Sequence, residues 1–521
     1  MKNRFITLAV IFLFITQLQA QNNLTIDKVY SAYLRNSGTI MESNQIKGYF
    51  FLYQSDQISK TTAEYTLQIL DQNLNKVQAI IFEDSKQLSL LEASYNNSSL
   101  AFLFKNSESN MLDLKIYNLD GKLKFTYSRE FSDKTGYLMN QYATLRSDEG
   151  TNQNVFNVGE HGYVFVSPLR DGKNYTYEMN YFSSEKKTQW TYQPYDDDRF
   201  VTAEFLGSTG SLILLSELRR SRLISNKISS HLVGINIQTK KKVFDIENTE
   251  DGEYKFVPTS ILPMEGKDEI LLMGSYFSNK DNVTKDFSKG LAIYSINSKG
   301  KALSQKYLSW TEDISKFLPV SRKGKLDEVG YLYIHKMLQT AEGKTFIIGE
   351  GYKRQASAGG IAVKTALAVA GGFTGAVGAT KIVVTDMVVM ELDTSFKIAN
   401  ASVYDKTNNT VDGSGQSDMM SQHAIALMVK MAGGFDYEFT TGEADNSVFT
   451  ICYSDWVKNK EYKGITFNAI RYNGNGFSTD KIELKSNASK MKVLPAKPGS
   501  VMIMEYFKKE KRLDLRLEKL G

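Results

Sequence analysis

Residues 114–125 read LKIYNLDGKLKF. Apolar and polar residues alternate on either side of Asp120, Gly121 and Lys122. Alternation with a period of two gives a strand one buried face, and Asp-Gly between two such runs is a hairpin signal. The same strand–turn–strand grammar recurs at Thr66–Val77 with Asp71 and Asn73 in the turn, at Tyr175–Trp190, and at Leu232–Phe244 around Gln238 and Thr239. It continues at Leu291–Leu303 around Ser298 and Gly300, at Met387–Ile398 around Asp393, and at Ile465–Phe477 around Asn473 and Gly474.

Working outward, each hairpin is preceded by another apolar strand, such as Leu100–Phe104, Ser211–Leu215 or Val448–Tyr453, and most by one more, such as Phe256–Leu262. The unit is four strands. Repeats of this kind, about 40 to 60 residues long, mark a β-propeller, in which radial repetition protects sheet edges. Consecutive β-sandwiches are the competing architecture. The expected fold is therefore all-β, a propeller of four-stranded blades, eight by count and seven as the alternative. It carries an apolar Gly/Ala-rich hairpin insertion and one short helix. The eighth unit, Val501–Tyr506 then Leu513–Leu520, lacks its outer strand; residues 24–34 are expected to supply it and join the two ends of the chain.

Bulk properties agree. A chain of 521 residues exceeds one ordinary core, which suits a repeat array. The 29 Tyr and 29 Phe favour strands. Residues 1–20 combine Lys2 and Arg4, an apolar stretch and a small-residue end at Ala20, the pattern of a cleaved export signal. Residues 21–521 are then one propeller domain. A single cysteine, Cys452, rules out an internal disulfide framework and reads as core. The net charge of +5 is spread along the chain and gives no nucleic-acid footprint.

Two insertions interrupt the repeat. Residues 355–380 are built mostly of Gly and Ala with Lys364 as the only internal charge, and Gly371 and Gly372 divide them into two limbs followed by Phe373 and Gly375. The flanking strands are neighbours, so the segment must return and cannot cross a bilayer once. It can cover its own propeller, dip into a membrane or enter a partner; small residues that allow close backbone approach suit the partner best. Residues 405–434 end in a helix expected over 418–432, capped by Ser417, with an apolar face of Met420, Ala424, Leu427, Met428 and Met431. That face either lies on the propeller or docks a partner. Arg219, Arg220 and Arg222 form the clearest basic cluster, placed in a loop on the same face as the insertions.

Chemistry is sparse. His161, His231, His335 and His423 have no metal-ligand spacing, and Asp196, Asp197 and Asp198 lack a calcium loop's closing Glu. No phosphate loop or nucleophile elbow is present. No metal or cofactor is expected, and a non-enzymatic role is preferred.

The exported, cysteine-poor, Tyr- and Asn-rich chain with Gln21 first after the signal is similar to cell-envelope proteins of the Bacteroidota. With its insertion at 355–380 it resembles the periplasmic plug subunit of the type 9 secretion translocon. It also ends on a blade strand rather than on a sorting domain. That resemblance implies a periplasmic protein, a monomer within a hetero-complex, docked on an outer-membrane barrel and closing its periplasmic mouth, with peripheral membrane contact. An envelope propeller binding glycan or peptide is the other reading, and a hydrolase a third.

Overall fold

The computed structural model describes residues 23–520 except 43–44, 87, 107–110, 131–153, 173, 195–199, 222–227, 248–251, 265, 358–379, 412–420 and 459. Among these residues the chain is antiparallel β-structure in seven sheets, with one α-helix. The propeller expectation holds at the level of the blade. Six sheets are built on a four-stranded meander each. The largest joins two, Val155–Tyr192 and Phe200–Glu247, through one parallel pair, Tyr175 with Phe200, whose rings stack 5.3 Å apart. Eight meanders are thus distributed over seven sheets.

The turn chemistry explains why the hairpins were readable. In the 114–125 hairpin, Asn118 Oδ1 accepts from the N–H of Lys122 and Gly121 holds φ +83°. Equivalent residues close other hairpins. Asn236 accepts from Gln238 and Thr239, Asn297 from Lys299 and Lys301, Asp393 from Ser395 and Lys397, and Asn473 from Asn475 and Gly476. A short side-chain acceptor at the end of a strand satisfies the turn's N–H groups without an extended partner. The sequence pattern is the residue-level cause of the meander.

The chain divides into two compact units. One comprises Met1–Gln87, Leu119–Gly121 and Ser486–Gly521; the other Leu88–Asn118 and Lys122–Lys485. In the first unit the last sheet runs Asn23–Asp27, Arg512–Lys519, Ser500–Phe507, Lys490–Pro495. The N-terminal strand pairs antiparallel with the C-terminal one, Leu24 opposite Leu515 and Ile26 opposite Leu513. The expected fourth strand is in place. It shares a core with the first meander, through Leu24, Ile26, Tyr49, Phe51, Met502 and Leu515.

In the second unit each meander packs on the next. Leu103 and Leu114 meet Tyr163 and Phe165; Met179 and Tyr181 meet Ile213 and Val233; Leu214 and Leu232 meet Leu272 and Ala292; Met273 and Ile293 meet Ile347 and Met390; and Phe346 and Val389 meet Ile451 and Ile470. The inner strands bury both faces, so their sequences read as continuous apolar runs rather than clean alternation.

Candidate interaction site on the sixth meander

The sixth meander contains two of the three longest strands among the described residues, Thr345–Ala356 and Thr380–Leu392. Their pairing shifts between Glu350 and Tyr352, then continues as Tyr352 with Val384 out to Gln355 with Lys381 and Ala356 with Thr380. The shift depends on Gly351, where a Cβ would sit 2.3 Å from Thr385 Oγ1 and 2.4 Å from a Val329 methyl. Beyond it the hairpin leaves the four-stranded blade. Strand Asn409–Val411 adds to its edge, pairing with Ile382–Val384. The Gly/Ala-rich insertion therefore departs and re-enters at one cross-strand pair, on a stalk widened by the second insertion.

The helix, α1 (Gln422–Met431), covers the root of this stalk. Ser421 caps it, its hydroxyl accepting from the Ala424 N–H at 3.1 Å. The expected start near Ser417 is therefore corrected, since the side chain that closes the first turn belongs to Ser421. The expected face is also corrected. Ile425, Ala426 and Val429 are the buried residues, packed on Tyr333, Tyr352, Ile382, Val384 and Phe435. Leu427 and Met428 are half-buried at the margin, and Ala424 is half-buried as well. Of the two uses considered for the helix, lying on its own blade is what the structure displays. Tyr352 donates to the Gln422 carbonyl at 2.8 Å, and Lys430 pairs with Glu204 of the fourth meander. Gln422, His423 and Ala426 line a cleft with Tyr331, Tyr352 and Phe287, leaving about 60 Å³. That is room for a handful of waters or one small side chain.

Beneath the stalk lies a buried ionic group that sequence reading missed. Lys406 is fully enclosed; its ammonium contacts Glu350 at 3.1 Å and pairs with Asp436. His335 reaches Glu350 at 3.0 Å, and Glu350 also accepts from the N–H groups of Asp436 and Tyr437. Asn409 donates to Asp436 at 3.0 Å. Burial pushes Asp436 up to about 7, with the charge of Lys406 opposing and that of Glu350 reinforcing the shift. Burial would raise Glu350 too, but the bond to His335 and the charge of Lys406 win and hold it below its usual range. For Lys406, burial is outweighed by the two carboxylates, which raise it. Burial lowers His335. The group ties the second insertion to the blade and to the start of the seventh meander.

The remaining sequence candidates separate. Lys364, Gly371, Gly372, Phe373, Gly375, Met420, Arg222 and Asp196–Asp198 lie outside the described residues, and Met431 is the last residue of α1. Arg219 and Arg220 are not in a loop: they end strand Leu212–Arg220. Arg219 is buried, bonded to Glu217 and to Asp245 at 2.9 Å, so it is no free basic patch. Arg220 stands 5.5 Å from the Phe200 ring. His231 lies in the same network, between Ser229 and Asp245, each at 2.9 Å. The order Ser–His–Asp matches a nucleophile relay, yet Asp245 also binds Lys242, and Glu217 accepts from Tyr177 of the third meander. The network reads as a strut between blades. Cys452 is buried, and burial pushes its thiol well above the usual range. Among the described residues no His, Cys, Asp or Glu group has the arrangement of a metal site, and no helix is long and apolar enough to cross a membrane.

The family of unknown function DUF6770 matches over residues 1–521. The chain belongs to that family. Curated proteins provide no match. Among solved structures, this DUF6770 chain is similar to the WD40 domain of SCAP from fission yeast, with 7% identity and TM-score 0.34 over 95% of this chain and 98% of that one. It is also similar to a eukaryotic initiation factor, with 8% identity and TM-score 0.36 over 87% and 88%. Prolyl oligopeptidase B from Galerina marginata follows, with 8% identity and TM-score 0.41 over 91% of this chain and 55% of that one. At these values no ligand or reaction transfers to the DUF6770 chain.

Proposed function

We propose that this DUF6770 protein is an exported, non-enzymatic docking protein that seats on an outer-membrane translocon barrel and occludes its periplasmic opening, as the plug of a type 9 secretion system. One observation carries the reading. The Gly/Ala-rich run is spliced between Ala356 and Thr380, directly paired residues on a stalk that outgrows its blade. A rigid stalk bearing a segment of small side chains suits insertion into a lumen, where close backbone approach matters more than side-chain reach. The helix and the buried Lys406 group brace the root of that stalk, so a load on the insertion would be passed to the blade.

The test exchanges residues 358–379 for a short Gly-Ser linker, keeping the Ala356–Thr380 pair. The variant should fold with an unchanged melting temperature and lose co-purification with the barrel from native envelopes. Undiminished recovery of the complex would remove the insertion from the docking role. Binding of a glycan or peptide that survives the exchange would favour the ligand-binding reading instead.

A further inference from the structure

The seventh meander carries a surface that the docking reading leaves unused. In its central hairpin, strand Phe449–Lys458 pairs with Lys463–Tyr472, which sets Trp456 opposite Ile465 and Lys458 opposite Lys463. Residues two apart on a strand share a face, so these four side chains form one patch at the hairpin tip. Trp456 is 50% exposed and Ile465 41%, whereas their neighbours Asp455 and Thr466 are buried against the blade. Lys460, on the connecting turn, is exposed as well. The opposing charge is small. Glu461 lies on the same turn, and Glu483 is held by Lys485 at 2.9 Å.

Two costs coincide here. Trp and Ile side by side leave a large apolar area in water, and two lysines directly opposite one another repel. One occupant relieves both. At the boundary of an anionic bilayer the indole and the Ile side chain enter the headgroup region, while Lys458, Lys460 and Lys463 meet phosphates and lay their methylene stems along the apolar edge. We propose that this hairpin tip binds the surface of an anionic phospholipid bilayer.

The full chain offers its own probe. Of its three tryptophans, Trp190 and Trp310 are buried, so a change in emission reports Trp456. Vesicles of phosphatidylcholine containing about 30% phosphatidylglycerol should co-sediment the protein and shift its emission to shorter wavelength, and pure phosphatidylcholine should do neither. K458E/K463E should weaken binding by more than about tenfold, since each lysine near such a surface contributes about fivefold. W456S/I465S should weaken it comparably and abolish the spectral shift. Both variants change exposed side chains, so their unfolding temperatures should match that of the parent. Equal binding to neutral and anionic vesicles, full binding by either variant, or binding to neither vesicle would overturn the proposal. The last outcome would point to an acidic protein as the occupant. No barrel is present in the assay, so its result is independent of the docking reading.

Discussion

Asp436 is a single residue that couples stability to pH. Its folded pKa of about 7 exceeds its ordinary 3.8, so folding takes up a proton between those values. Stability from this group is therefore complete at low pH and is lost as pH rises through about 7. Glu350 and His335 are shifted down and act in the opposite sense at lower pH, which makes the comparison with Asp436→Asn the informative one. Between about pH 6.5 and 8 the stability advantage of the parent over that variant should shrink by about 1 kcal/mol, read by denaturant unfolding. A pH-independent difference would show that Asp436 does not titrate there. Lys406 is the other sensitive position. Lys406→Met strands two buried carboxylates and should cost about 3–5 kcal/mol at pH 8, and less at pH 6, where Asp436 can take a proton.

At the scale of elements, the strand Asn23–Asp27 is decisive for the last sheet. It buries Leu24 and Ile26, and the chain after it is held by the Val29 N–H on the Lys511 carbonyl at 2.8 Å and by Tyr506 on the Tyr30 carbonyl at 2.8 Å. Deleting residues 21–35 should lower the melting temperature sharply. The milder pair Leu24→Asp and Ile26→Asp should cost at least about 4 kcal/mol, because two charges would replace two core side chains. An unchanged melting temperature in the deletion would mean that the sheet stands without its fourth strand. The helix α1 illustrates the limit of pattern reading for one element. Its sequence, QHAIALMVKM, offers two adjacent apolar stripes, and Leu427 with Met428 reads as well as Ile425 with Val429. Only the aromatic floor of Tyr333, Tyr352 and Phe435 decides between them.

For the whole chain, repetition made the fold legible. Most hairpins are written locally, by alternation and by an Asn or Asp that caps its own turn, so the signal at Asn118, Asn297 or Asp393 needs no knowledge of the rest of the molecule. The missing strand of the last unit could be placed near residue 24 by the same counting, and Leu24 does pair with Leu515. The sequence alone determined the meanders, their order, the shared sheet of the two ends, and an insertion that leaves and returns between adjacent strands. Tertiary structure decided what the polar residues do. Glu350 and Asp436 stand 86 residues apart and meet through Lys406, and Arg219, basic as a letter, is neutralised by acids on its own strand and on the second strand along the sheet. Such partners are chosen by register between strands and by contact between blades. Charge in a sequence has no address until folding sets the distances over which it acts.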